Sequence, residues 1–311
     1  MKKLTLLFTF SLFTMFAFAQ PYTWTNSAGS GNWTNPAIWT KPAGPAYDYP
    51  QTTDDIVIIE DAWPGINANI DDTVQSITIN NTGTNKFSQL TITSGDTVVT
   101  TGDFVIKGTN PIGSNLLFNG HSGVLVVGDG PEDGMIIEGR LQTTGDTSKI
   151  LIGGYYKHLS GTVEFAGSIV FLISTKGAIP SATDEHNFFI SSNAEYKFGA
   201  GTVKLLITVL NGNLSTKEEV YLEDATVTTT PTTTGWTITL IGNDDGSDNS
   251  YAMKTDMGLG EVGINIGDAT MTYENVTADK KVVFRELYLF SGHFDMQPGS
   301  LLEIEPTATF F

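Results

Sequence analysis

The segment from Val74 to Ile106, VQSITINNTGTNKFSQLTITSGDTVVTTGDFVI, decides the fold of this protein. Apolar and polar residues alternate along it, as in Leu90 with Ile92, and turn-forming residues interrupt the alternation at 81–83 and 101–103. A period of two indicates strands with one buried face, and Asn, Gly and Asp are typical of the turns between them. The segment therefore predicts short strands joined by tight turns.

The same pattern recurs along the chain at about one strand per 12 residues, which indicates an all-β fold. We expect a right-handed parallel β-helix, a solenoid whose coils stack their apolar side chains in one column. The alternative is tandem β-sandwiches, but no Pro/Ser-rich linker divides the chain clearly. The alternating runs include Val74 with Ile77 and Ile79, Phe104 with Ile106, Val163 with Phe165, Tyr196 with Phe198, Trp236 with Ile238 and Leu240, and Val262 with Ile264 and Ile266.

The composition is that of a folded protein. Of the 311 residues, 40% are hydrophobic and 16% are charged, which excludes the class of intrinsically disordered chains. The chain has no cysteine, so disulfides cannot stabilise it and a large core or bound ions must. The best helix signal is the capping-box spacing Ser215-Thr216-Lys217-Glu218, which competes with a strand containing Val220 and Leu222.

The amino terminus predicts an exported protein. Lys2 and Lys3 precede the uncharged segment 4–18, and Ala17-Phe18-Ala19 resembles a cleavage site, so we expect residues 1–19 to be a signal peptide. The apolar segment is shorter than the roughly 20 residues that span a bilayer, so no membrane insertion is expected after cleavage. Secretion or display at the cell surface is the predicted localisation.

The net charge restricts the partners. It is −18 for the whole chain, and loss of Lys2 and Lys3 would make it two units more negative. The electrostatic field of so acidic a chain repels nucleic acid, but it is compatible with extracellular glycans, other cell-surface proteins and divalent cations as partners. The oligomeric state does not follow from the sequence.

Six segments near the start, in the middle and near the end of the chain carry a recognisable pattern. They are Trp24–Asn26, Gly31–Trp39, Asp54–Ile59, Val74–Ile79, Gly161–Gly167 and Phe284–Met296. These segments resemble a family of large secreted bacterial β-helix proteins, adhesin-like and associated with type IX secretion. The resemblance implies a right-handed parallel β-helix displayed outside the cell, usually within a longer polypeptide that ends in a sorting domain. It supplies no catalytic residues.

An open solenoid needs a cap at each end, because its last strands expose backbone groups and apolar side chains. We expect residues 20–55 to form the amino-terminal cap, with Trp24, Trp33 and Trp39 buried in it, and residues 56–311 to form the coils. After the strand-like residues 302–305 no polar closing element follows, so we expect the coils to be truncated at the carboxyl terminus of this chain.

The same aromatic residues have an alternative interpretation. Exposed indole rings stack on sugars, so Trp24, Trp33, Trp39 and Trp63 could form a glycan-binding surface, with Tyr47 and Tyr49 beside them. The two interpretations differ in the exposure of the rings, which are buried in a cap and exposed in a glycan site.

Other chemistry-bearing groups do not form a recognisable site, and no catalytic or cofactor-binding residue is predicted. Adjacent acids in a strand point to opposite faces, so they do not by themselves make the acid and base of a glycosidase, and we expect them to be solvated. The loop 242–250 is rich in oxygen ligands and could hold Ca²⁺, although it lacks EF-hand spacing. The acid pairs are Asp54-Asp55, Asp71-Asp72, Glu218-Glu219, Glu223-Asp224 and Asp244-Asp245, and the dispersed histidines are His121, His158, His186 and His293.

The sequence thus favours a non-catalytic stalk or display region, adhesin-like, in a larger surface or secreted protein. The alternative is a carbohydrate-active β-helix, either a polysaccharide lyase or a glycan-binding module.

Overall fold

A computed structural model describes most of the chain between residues 21 and 305. The predicted signal peptide, Trp63 and most of the loop 242–250 lie outside the described residues, as do residues 215–218 of the possible helix. The described residues are 21–26, 29–53, 55–60, 65–68, 73–81, 87–108, 113–128, 130, 133–145, 147–166, 169–175, 188–198, 203–209, 220–229, 236–242 and 250–305.

The chain is a parallel β-helix, as predicted, and tandem sandwiches are excluded. From the strand Asp55–Glu60 to the strand Val220–Leu222, each strand pairs in parallel with the third strand after it. Three strands therefore make one coil, and each coil stacks on the next. The strands form one 8-stranded and one 19-stranded sheet.

We call the three columns of strands faces 1, 2 and 3. Face 1 is the 8-stranded sheet, formed by Gly31–Asn32, Ile66–Ala68, Ser88–Thr93, Ser114–Asn119, Arg140–Thr143, Gly161–Phe165, Ala194–Phe198 and Thr226–Thr229. Face 2 contains Thr73–Val74, Thr97–Thr100, Val124–Val127, Ser148–Ile152, Ile169–Thr175, Val203–Val209 and Trp236–Gly242. Face 3 contains Tyr22–Asn26, Asp55–Glu60, Ser76–Asn80, Phe104–Ile106, Gly134–Ile137, Tyr155–His158, Phe188–Ile190, Val220–Leu222 and Ser250–Thr255.

The last coils are built from longer strands than the sequence predicts. Leu259–Glu274 and Lys281–Met296 each have 16 residues, and each runs along face 2 and then face 3, which joins these faces into one sheet. Gly267, at a φ of 62°, lies where the first of them turns the corner. The final strand, Leu301–Ile304, pairs with the start of the second long strand.

One predicted run is divided by a corner. Val74 ends the strand Thr73–Val74 on face 2, whereas Ile77 lies in Ser76–Asn80 on face 3. The three-residue offset between them breaks the period of two, because the chain changes face at Gln75.

The core is a continuous column of apolar side chains along the axis. On face 3 the strand register places one inward residue from each coil directly over the one before. The first ten of the eleven residues in this column are at most 1% exposed. The eleventh, Met296, which no described coil covers, is 45% exposed. The column is Trp24, Val57, Ile77, Phe104, Met135, Tyr156, Phe188, Val220, Met253, Tyr273 and Met296.

The amino-terminal end is closed by the predicted cap segment. Its strand Tyr22–Asn26 pairs with Asp55–Glu60 and so forms part of the first coil. A 3-10 turn, Pro36–Ile38, follows Asn35, whose side chain accepts a hydrogen bond from the Ala37 amide. The chain then returns as an antiparallel bridge between Thr40 and Thr25. The cap is therefore continuous with the solenoid.

Candidate functional site

The amino-terminal cap is organised around the carboxylate of Asp55, which is fully buried. Its Oδ1 accepts hydrogen bonds of 2.8 Å from Trp24 Nε1 and from the Tyr47 hydroxyl. Its Oδ2 accepts from the amides of Gln51 and Thr52 at 2.8 and 2.9 Å, and from the Thr52 hydroxyl at 3.2 Å. The structure thereby corrects the expectation that this acid is solvated. Its five donors tie the loop 47–52 to the first coil.

The three described tryptophans of the cap are buried, with exposures of 0% for Trp24, 1% for Trp33 and 7% for Trp39. Trp33 Nε1 donates to the Pro50 carbonyl at 2.8 Å, and Trp39 Nε1 donates to the Trp33 carbonyl at 2.6 Å. The rings of Trp33 and Trp39 meet edge to face at 5.1 Å. These indoles therefore have no free face for a sugar. The cap interpretation is confirmed for them.

One of the four dispersed histidines lies inside the solenoid. His158 is fully buried, and the register stacks it between Ile137 and Ile190 of the neighbouring coils. Within the described part of the chain neither ring nitrogen has a hydrogen-bond partner, and the ring meets Tyr196 edge to face at 4.9 Å.

Burial has a large effect on the protonation of this imidazole. It lowers the pKa of His158 to about 3, against a smaller opposing effect of the backbone of Ser160 and Gly161. His158 is therefore neutral in the folded protein at neutral pH. It acts as a core side chain, and it has no route to solvent that would suit a general acid or base.

Two tyrosines share the same interior layer. The hydroxyls of Tyr156 and Tyr196 lie 3.1 Å apart and satisfy each other. Burial is the main reason that the pKa of each is raised well above its usual value. Tyr156 also stacks on Phe188 at 4.8 Å. This cluster stabilises the middle coils and is closed to ligands.

The outer surface of face 1 carries a ladder of polar side chains, each from a successive coil. Asn115 Nδ2 donates to Gln89 Oε1 at 2.9 Å and to Gln142 Oε1 at 3.2 Å. Gln142 Nε2 donates to Glu164 Oε2 at 3.1 Å, and Arg140 Nη2 lies 2.5 Å from the same oxygen. The Arg140 guanidinium is the main reason that the pKa of Glu164 is lowered. These side chains therefore form hydrogen bonds and one ion pair with one another along the axis of the solenoid.

The described acid pair Glu223-Asp224 does not form a catalytic dyad. Glu223 Oε2 accepts from the Ser192 amide at 2.6 Å, while Asp224 Oδ2 lies 2.6 Å from Lys280 Nζ. The nearby Asp256, 5% exposed, accepts the Thr277 amide with both oxygens, at 2.9 and 3.1 Å. Each carboxylate holds a corner of the solenoid together.

No metal site is found among the described residues, in which no three acids, cysteines or histidines cluster. His121 and His293 are exposed and His158 is buried, so the structure does not bring these three together. The remaining acid pairs, Asp71-Asp72, Glu218-Glu219 and Asp244-Asp245, lie outside the described residues together with Asp54 and His186, so the calcium hypothesis for the loop 242–250 stays a prediction.

Comparison with known proteins finds no matching family model, no similar curated protein and no similar solved structure. In the described part of the chain no helix is both long and apolar enough to cross a membrane.

One missed signal could have been found in the sequence. In Tyr155-Tyr156-Lys157-His158 the period of two places Tyr156 and His158 on the same side of a strand. Because the charge of Lys157 keeps the opposite side of the strand in water, the side of Tyr156 is the buried one, and His158 follows it into the core.

Proposed function

We propose that this protein is a non-catalytic display stalk, adhesin-like, exposed outside the cell. The observation that carries the proposal is the uninterrupted column from Trp24 to Tyr273, closed at its first coil. In a solenoid each coil contacts only its neighbours, so its length grows with coil number while its cross-section is unchanged. Nine steps of about 4.8 Å give the column an axial length of roughly 43 Å.

The outer polar groups support a scaffold in preference to an enzyme. Hydrolysis or elimination needs acid and base groups that converge on a substrate. In the described residues, Glu164 binds Arg140 and Gln142, Asp256 binds the Thr277 amide, and Glu223 binds the Ser192 amide. These acids are used to join coils, which is the chemistry that a rigid stalk requires.

Surface exposure on the producing cells tests the proposal. Antibodies raised against the purified chain should label intact cells or detect the chain in the medium. A matched antibody against a cytoplasmic protein should label only lysed cells. Labelling of this chain only after lysis would contradict the display role.

A further inference from the structure

The last long strand presents two aromatic rings on its outer side. Phe290 is 68% exposed, the largest exposure of a bulky apolar side chain in the described residues. Its ring lies beside that of Tyr288, with centroids 6.0 Å apart and planes only 17° from parallel. We call this pair of rings the aromatic platform. Phe290 is exposed and Tyr288 is partly exposed, and apolar surface of this kind with polar residues around it marks an interaction site.

A β-bulge directs Phe290 outward. Ile264 pairs with Leu289 and Asn265 pairs with Ser291, so Phe290 is an extra residue without a partner in the adjacent strand. Such bulges re-aim side chains and are frequent beside functional sites. The ring lies above Gly263 of the preceding coil, where a Cβ atom would come within 3.3 Å of Phe290 Cε2. The glycine leaves room for the ring.

Hydrogen-bond acceptors border the platform. Glu286 Oε2 accepts from the Tyr288 hydroxyl at 2.7 Å, and Glu261 lies opposite Glu286 in the adjacent coil. These carboxylates raise the pKa of Tyr288, chiefly through the hydrogen bond from Tyr288 to Glu286. Arg285 Nη2 is 4.0 Å from Glu286 Oε1, so one cation lies at the edge of the site.

These features match one ligand chemistry. The C–H face of a sugar ring packs on aromatic rings, and its hydroxyls donate to carboxylates. Two carboxylates on a chain of net charge −18 disfavour a polyanion. We propose that Tyr288 and Phe290, with Glu286 and Glu261, form a binding site for a neutral glycan. This deepens the display function by naming a ligand class.

A second copy of the chain is the competing occupant. Leu289 pairs with the buried Ile264 and is 42% exposed because no described coil stacks beyond it. A protein docking on the end of the solenoid would cover Leu289, Met296 and Leu301. The platform lies on the side of the coil, over Gly263, and would remain available to a glycan.

Affinity electrophoresis of the purified chain tests the site, with native gels containing mixed-linkage β-glucan, xylan or galactomannan. We expect retardation in at least one of these gels. Phe290→Ala and Tyr288→Ala should each weaken the binding about tenfold. Phe87→Ala, at a side chain 39% exposed, is the matched control and should bind normally.

Three results would overturn the glycan site. The first is that no gel with a neutral glycan retards the chain. The second is that polygalacturonate, a polyanion, retards it equally or more. The third is that Phe290→Ala abolishes self-association in analytical ultracentrifugation but leaves glycan binding unchanged. Thermal unfolding of each variant verifies that it is folded, and Glu286→Gln replaces any that is not. Failure here leaves the display role intact, because that role is tested by surface labelling.

Discussion

At the scale of single residues, buried polar groups in this solenoid have two different roles. Asp55 accepts five hydrogen bonds and fixes the cap on the first coil. His158 has no hydrogen-bond partner in the described part of the chain and takes a position that isoleucine occupies in the coils on either side. The first residue stabilises the fold, whereas the second makes its stability depend on pH.

Replacement of Asp55 should release the cap. Asp55→Ala leaves buried donors without an acceptor, so we expect the free energy of unfolding to fall by about 2–4 kcal/mol. Chemical denaturation measures this change. Asp48→Ala, which removes an exposed ion pair with Lys41, is the control and should change stability by less than about 1 kcal/mol. Equal effects of the two variants would contradict the role assigned to Asp55.

The His158 imidazole should weaken the protein as the pH falls. Its pKa is about 3 in the folded protein, against 6.5 for the exposed imidazole of the unfolded chain, so below pH 6.5 the unfolded chain binds the proton first. The stability contributed by the neutral ring is complete above pH 6.5 and is lost toward pH 3.

We therefore expect His158→Leu to remove this part of the pH dependence. Relative to that variant, the free energy of unfolding of the wild-type protein should fall by roughly 1.5 kcal/mol between pH 6.5 and pH 5. Urea unfolding of both proteins at both pH values measures this change. The carboxylates are the same in the two proteins, so their contribution cancels when the two changes are subtracted. His121→Gln, at an exposed position, is the control. A difference between wild type and His158→Leu that is independent of pH would disprove the assignment.

At the scale of elements, the sequence predicts strands better than it predicts how they are stacked. The period of two identifies Phe104 with Ile106 and Val163 with Phe165 correctly, because it depends only on local burial. The bulge at Phe290 depends on the register of its strand with the preceding coil. Because the number of residues per coil varies along the chain, the sequence does not reveal that register. Nothing local to Phe290 distinguishes it from an inward residue.

The cap is the element whose packing the sequence predicts most directly. Trp33→Ala should remove a ring that is 1% exposed and lower the free energy of unfolding by about 3–5 kcal/mol. Differential scanning calorimetry measures the accompanying fall in melting temperature. Phe87→Ala serves as a control at an exposed ring. An unchanged melting temperature in Trp33→Ala would return the tryptophans to the glycan interpretation.

At the scale of the whole molecule, the role of each group follows from the stacking of coils. The ladder from Gln89 to Glu164 exists because parallel pairing places one outward side chain beside the next. The same pairing places the aromatic platform of one coil over Gly263 of the coil before it. Sequence alone predicts the class of fold, but these contacts need the register between residues far apart in the chain.

Disulfide mapping tests the coil register most directly, since the chain has no native cysteine. Thr162 pairs with Glu195, and Glu195 pairs with Thr226. Neighbouring coils lie about 4.8 Å apart, within reach of a disulfide, whereas two coils exceed the limit of about 7 Å. Thr162→Cys/Glu195→Cys should cross-link under mild oxidation, and Thr162→Cys/Thr226→Cys should not. Equal cross-linking of both pairs, or none in the first, would contradict the parallel solenoid.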